Sequence, residues 1–130
     1  MKTAIILGAT GLTGSILLEN LLNNPSYNDV IIFVRKSVGF THKKLKEVIC
    51  DVINIEEQKE LFKANEVFCC IGTTAKKTPD KDVYKAIDYG IPVKCAQLCV
   101  ENSIPRLFVI SALGVNVNSF IFYNRTKGEM

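Results

Sequence analysis

At 130 residues the chain is long enough to bury a core and short enough to be read as one domain, residues 1–130. Its 48% hydrophobic and 22% charged residues are ordinary for a globular protein. The formal charge of +3 is small and scattered, which argues against nucleic acid as a partner, and the opening apolar run Ala4–Leu7 is too short for a membrane span or a signal peptide.

In chain order, Lys2–Leu7 reads as a first strand and Leu12–Asn23 as a first helix, carried by Ile16, Leu17, Leu18, Leu21 and Leu22 and ending before Pro25. Val30–Val34 is a continuous apolar run, the mark of a strand buried on both faces. Arg35–Lys44 is polar, carries Gly39 and reads as a loop. Glu47–Cys50 is a short strand, and Ile55–Ala64 a short helix begun near Asn54. Glu66–Ile71 is another buried strand, closed by Gly72. The pattern is helical from Pro79 to Asn102, with Gly90 and Pro92 kinking or splitting it. Arg106–Ser111 is the fifth strand, and a last helix is expected to begin near Ser119 or Phe120. Strands alternating with helices imply an α/β, Rossmann-type doubly wound parallel sheet, of order 3-2-1-4-5, with its ligand crevice at the carboxyl ends of strands 1 and 4.

Between the first strand and helix lies Gly8-Ala9-Thr10-Gly11-Leu12-Thr13-Gly14. Glycines there let a pyrophosphate approach the main chain, and the N–H groups and positive dipole end of the following helix favour its charge. A strand before and a helix after favour nucleotide binding over a merely structural tight turn.

The residue ending the second strand selects the dinucleotide. An acid about 20 residues past the glycines would bond the ribose 2′-hydroxyl of NAD. This chain has Val34, Arg35 and Lys36 instead. Two cations suit a 2′-phosphate, and the planar fork of Arg35 can grip one in bidentate fashion, so NADP is favoured over NAD. The competing reading is an exposed cation pair that no cofactor needs. Asp51 and Val52, after the third strand, are placed to border the adenine, with a turn or helix-start role as the alternative for Asp51. Gly72 and Thr73, after the fourth strand, are placed near the nicotinamide ribose.

The catalytic candidates follow from spacing. Ser111 ends the fifth strand, and Tyr123 and Lys127, four apart, would share one face of the last helix. A cation beside a phenol lowers its pKa of about 10 toward the working range of a general acid/base. A serine at the neighbouring strand end could hold a substrate carbonyl or alcohol.

These parts together make the chain resemble the short-chain dehydrogenase/reductase superfamily, in its extended and atypical branches. Cys70-Ile71-Gly72-Thr73-Thr74, Ile110-Ser111-Ala112-Leu113-Gly114 and the stretch from Tyr123 to Lys127-Gly128-Glu129 are most similar to its Tat-interacting-protein/NmrA-like group. The resemblance implies that Gly8, Gly11 and Gly14 line the pyrophosphate with Thr10, Leu12 and Thr13 nearby, and that Arg35 and Lys36 meet the 2′-phosphate. It implies Tyr123 as proton donor or acceptor, Lys127 on the nicotinamide ribose, and Ser111 orienting a small-molecule substrate for hydride transfer. Asp88 aligns where many members of the superfamily have asparagine. The superfamily also continues beyond the helix in which this chain ends at Met130, so the fold is expected to be incomplete at the carboxyl end, with an exposed sheet edge or helix faces that favour a homodimer. Two rival classes remain open: a non-catalytic NAD(P)-sensing regulator or interaction scaffold, and nucleotide-sugar epimerase chemistry.

The five cysteines, Cys50, Cys69, Cys70, Cys95 and Cys99, are an odd set in apolar segments, which implies reduced thiols and a cytoplasmic protein. Cys95 and Cys99 would share a helix face, as packing rather than as metal ligands, and no metal site is expected. His42, Lys43, Lys44 and Lys46 read as surface residues. Lys76, Lys77 and Lys81 do too, although their place after a strand leaves a ligand role open.

Overall fold

The computed structural model describes residues 1–71, 86–110 and 121–122. Its sheet runs in the order β3-β2-β1-β4-β5-β6, formed by β1 (Lys2–Leu7), β2 (Tyr27–Val34), β3 (Leu45–Ile49), β4 (Glu66–Cys69), β5 (Arg106–Ile110) and β6 (Ile121–Phe122). The first five are parallel in the expected 3-2-1-4-5 order, and β6 lies antiparallel on β5.

Helix α1 (Leu12–Leu22) covers one face and α2 (Ile91–Glu101) the other. The period-2 alternation of β1 explains the division. Ala4 and Ile6 join Leu18, Leu21, Val30 and Ile32 beneath α1, whereas Ile5 and Leu7 join Phe33, Phe62, Val67 and Leu98 beneath α2. Each of the Val, Leu, Ile and Phe side chains, fully buried, contributes about 1.5–3 kcal/mol of transfer free energy.

Several boundaries differ from the sequence reading. β2 starts at Tyr27 rather than Val30, because main-chain pairing with β1 takes in Tyr27 and Asp29 whatever their polarity, with Asn28 at a register shift between them, and Asp29 finds an ion pair with Lys46 at 3.4 Å. The crossover from β3 to β4 is a 3₁₀ segment, Val52–Leu61, rather than an α-helix over Ile55–Ala64. Only Ile55 of it is buried, and Asn54 and Gln58 leave helical dihedrals, so no amphipathic stripe sustains a regular α-helix. Before α2 runs a π-helical turn, Ala86–Gly90, with Gly90 capping α2 and Pro92 in its first turn, the split expected at those residues. Ile121–Phe122 is strand where a helix was expected. A two-residue apolar run has no readable period, and the open edge of β5 decides it.

The amino ends of four neighbouring strands are tied by one buried carboxylate. Glu66, 3% exposed, accepts the Tyr27 hydroxyl at 2.5 Å and pairs with Arg106 at 3.3 Å and Lys2 at 3.5 Å, while Lys2 sits 4.9 Å over the Tyr27 ring. Burial and the Glu66 bond push the Tyr27 phenol up to about 12, partly offset by Arg106. A raised folded-state pKa means that this contribution to stability is complete below pH 10 and is lost as pH rises toward 12. Urea unfolding at neutral pH should show Tyr27→Phe less stable by about 1–2 kcal/mol. Glu66→Ala should cost about 2–3 kcal/mol, toward the low end for a broken buried pair because Lys2 and Arg106 stay partly in water. The Tyr27→Phe variant should also lose less stability than the unmodified chain between pH 10 and 12.

Candidate functional site

The turn joining β1 to α1 is shaped by two close approaches. Gly8 takes φ +83, and a Cβ there would lie 2.8 Å from the carbonyl carbon and oxygen of Cys70. At Gly14 a Cβ would fall 1.9 Å from the Gly8 oxygen, a clash that only glycine avoids. Gly11 differs: its Cβ would meet the Gly8 oxygen at an ordinary 3.5 Å. Gly11 closes the turn through its N–H on the Gly8 carbonyl at 3.1 Å and serves as N-cap of α1 without a side-chain cap. No acidic residue lies in the first turn of α1, so nothing offsets its positive end.

A cavity of about 330 Å³ opens at the carboxyl ends of β1 to β4. The structure brings Gly8, Thr10, Gly11, Arg35, Asp51 and Val52 together on its walls. Leu12, Thr13 and Gly14 form the first turn of α1 outside those walls, with Leu12 81% exposed and Gly14 buried beneath the turn. Lys36 is exposed beside Arg35 and is not part of the wall. Asp51 lines the cavity, and its carboxylate accepts the Ile53 N–H at 3.1 Å to cap the 3₁₀ segment, the helix-start role offered for it. Lys94 of α2 braces that segment, donating to the Ile53 carbonyl and pairing with Glu56 at 3.2 Å.

The sequence reading missed Phe33, Cys70, Ile71, Ile87 and Ile91, which supply apolar wall. Phe33, Cys70 and Ile71 sit at or just past strand ends and were findable from that rule. Ile87 and Ile91 arrive from the π turn and α2, by packing alone. Burial, with Cys69 beside it, raises the Cys70 thiol to about 11, so it stays protonated at neutral pH and is no nucleophile. Gly72, Thr73, Ser111, Tyr123 and Lys127, and with them Lys76, Lys77 and Lys81, lie outside the described residues.

A second cavity, about 570 Å³, lies between α1 and the loop joining β2 to β3, lined by Leu18, Leu22, Val38 and Phe40 with Glu19 and His42. His42, expected at the surface, is half-buried there, and its Nδ1 accepts the Lys44 N–H at 3.1 Å. Cys69, Cys95 and Cys99 are buried, and burial lifts the Cys99 thiol to about 12 with Cys69 adding to it. No cluster among the described residues has the geometry to hold a metal ion.

A glycine-shaped turn, an uncapped helix start and a crevice at the strand carboxyl ends define a Rossmann-type dinucleotide-binding protein. The chain belongs to the NAD(P)H-binding family, which it matches over residues 8–128. Among curated relatives, Protein HTATIP2 of Rattus norvegicus is 29% identical over 133 residues, covering 99% of this chain and 54% of the relative. Protein FMP52, mitochondrial, of Candida albicans is also 29% identical over 133 residues, covering 98% of this chain and 58% of the relative. The chain thus spans a little over half the length of these relatives. Uronate dehydrogenase from Agrobacterium tumefaciens, in a complex with NAD, shares the fold with a TM-score of 0.72 at 15% identity, over 86% of this chain and 41% of that one. UDP-glucose 4-epimerase from Thermotoga maritima does so with a TM-score of 0.72 at 16% identity, over 91% and 41%. These findings bear out the expected NAD(P)-binding Rossmann-type domain and its kinship with HTATIP2. The cytoplasmic expectation does not, since the FMP52 relatives are named mitochondrial.

The two glycines and Gly11 should separate experimentally. Gly14→Ala is expected to lower stability by roughly 3 kcal/mol or more and abolish dinucleotide binding, because backbone must move. Gly11→Ala should cost about 1 kcal/mol or less and keep the fold. Thermal melts with and without NADPH would check both.

Proposed function

We propose that the protein is an NADP-dependent oxidoreductase that transfers hydride between the cofactor and a small carbonyl or alcohol substrate. The observation that carries the reading is Arg35 on the cavity wall at the end of β2, where an NAD-selecting carboxylate would stand. Neither Arg35 nor Lys36 forms an ion pair among the described residues, so both remain available to an anion.

The residues present fit such a cofactor. The space that a Cβ would fill at Gly8 and Gly14 is the close backbone approach that a pyrophosphate turn requires, and the first turn of α1 offers N–H groups without a competing cap. Gly8, Thr10 and Gly11, with Leu12, Thr13 and Gly14 behind them, would hold the pyrophosphate. Arg35 and Lys36 would hold the 2′-phosphate, and Asp51 and Val52 would border the adenine. Gly72 and Thr73 would approach the nicotinamide ribose. The bound nicotinamide supplies the hydride exchange. Tyr123 would give or take the proton at the substrate oxygen, Lys127 would favour its phenolate by charge, and Ser111 would orient that oxygen by hydrogen bonding.

Calorimetric titration should show NADPH bound more tightly than NADH. Arg35→Ala should weaken NADPH about tenfold or more, the worth of a charge-assisted bidentate contact, and leave NADH nearly unchanged. Equal affinities in the unmodified chain would remove the basis for NADP. Tyr123→Phe, in a chain that turns over substrate, should cut kcat by about 100-fold or more while sparing NADPH binding. A protein that binds the cofactor but shows no Tyr123-dependent turnover would be a sensor rather than an enzyme.

A further inference from the structure

We propose that Glu47 is a positioning residue for cofactor selection, bracing the loop that presents Arg35 and Lys36. The inference rests on the NADP reading above and adds the device that makes those cations selective.

β2 and β3 are parallel neighbours, yet residues 35–44 join them without a helix. Parallel crossovers ordinarily use a dozen or more residues and a helix, whose internal hydrogen bonds hold the connection in shape. This loop must be held by something else. Glu47, in register with Ile32 on β3, uses both carboxylate oxygens for it. Oε1 accepts the Ser37 hydroxyl at 2.9 Å, and Oε2 accepts the Val38 N–H at 2.7 Å. Ser37 Oγ in turn accepts the Gly39 N–H at 3.1 Å, and Gly39 takes φ +87. The two residues after Arg35 and Lys36 are therefore tied to β3 by one side chain, and Gly39 is held through Ser37.

The charge arrangement matters as much as the bonds. The Glu47 carboxylate is satisfied by two neutral donors, and it forms no ion pair with Arg35 or Lys36 among the described residues. The loop thus keeps its cations free while losing its freedom to move. A 2′-phosphate gains from cations held in place beforehand, because less ordering entropy is lost on binding. NADH, lacking that phosphate, does not engage them. Loss of the brace should then weaken one nucleotide and not the other, which loss of a merely structural contact would not do.

The test is calorimetric titration of NADPH and NADH into the full chain and its Glu47→Ala, Glu47→Leu and Glu47→Gln variants. Glu47→Ala should raise the NADPH Kd about tenfold and leave the NADH Kd within about twofold. Glu47→Leu fills the half-buried position without bracing the loop and should behave alike, so the question stays answerable if the alanine variant folds poorly. The Gln amide can accept the Val38 N–H and donate to Ser37 Oγ, so Glu47→Gln should restore NADPH binding to within about twofold. In a background lacking both cations, Arg35→Ala with Lys36→Ala, Glu47→Ala should add little, since the brace then has no phosphate contact left to position. Equal weakening of both nucleotides, unchanged NADPH binding, or tighter NADPH binding once the Glu47 charge is removed would each overturn the inference alone. Equal affinity for the two nucleotides in the unmodified chain, or no binding of either, would overturn the NADP reading and this inference with it.

Discussion

The contact between Gly14 and the Gly8 carbonyl sets the geometry on which the candidate site depends. A Cβ at Gly14 would lie 1.9 Å from that oxygen, far inside van der Waals contact, so α1 can start where it does only with hydrogen at this position. Gly8 is pressed in turn against the Cys70 carbonyl at the end of β4. The end of β1, the start of α1 and the end of β4 are thereby brought to van der Waals contact. The N-cap Gly11 lies on the cavity wall, and the first turn of α1 follows it with no side-chain cap. A helix dipole acts over little more than its own first turn, so this close seating is what makes the helix useful to an anion.

The two ends of the sheet handle polarity in opposite ways. At the amino ends of β1, β2, β4 and β5, Glu66 collects a phenol, a guanidinium and an ammonium around a carboxylate that would otherwise be costly to bury. Every buried side-chain polar atom among the described residues has a partner. At the carboxyl ends Arg35 and Lys36 form no ion pair among the described residues, and the helix start has no side-chain cap. Stability is concentrated where the groups satisfy one another. Capacity for a ligand lies where they do not.

The crossovers show how much of the site depends on side chains that are not themselves ligand candidates. The β3–β4 connection is a 3₁₀ segment capped by Asp51, braced by Lys94 and closed by Asn102, which donates to the Phe62 carbonyl at 2.6 Å. That bracing sets the cavity wall at Asp51, Val52 and Ile53. Without a helix between β2 and β3, α1 has no helical neighbour on its face of the sheet there among the described residues. The second cavity occupies that place, walled by Val38 and Phe40 of the loop.

Much of the architecture was legible in the residues. The alternation of apolar runs with helical periods determined the parallel order 3-2-1-4-5, and glycines 8 and 14 marked the turn, because a glycine-only contact leaves a direct trace in composition. Arg35 and Asp51 were findable because strand ends in such sheets face the crevice. Tertiary structure decided the rest. Gly11 has the same spacing logic as its neighbours yet no close contact, and only coordinates separate them. Tyr27 and Asp29 became strand through main-chain pairing, and Ile121–Phe122 became strand because β5 offered an edge. Glu47 and Ile87 join the loop brace and the cavity wall through partners distant in sequence. Short-range pattern records what each residue prefers, whereas these roles were set by what the rest of the chain placed beside it.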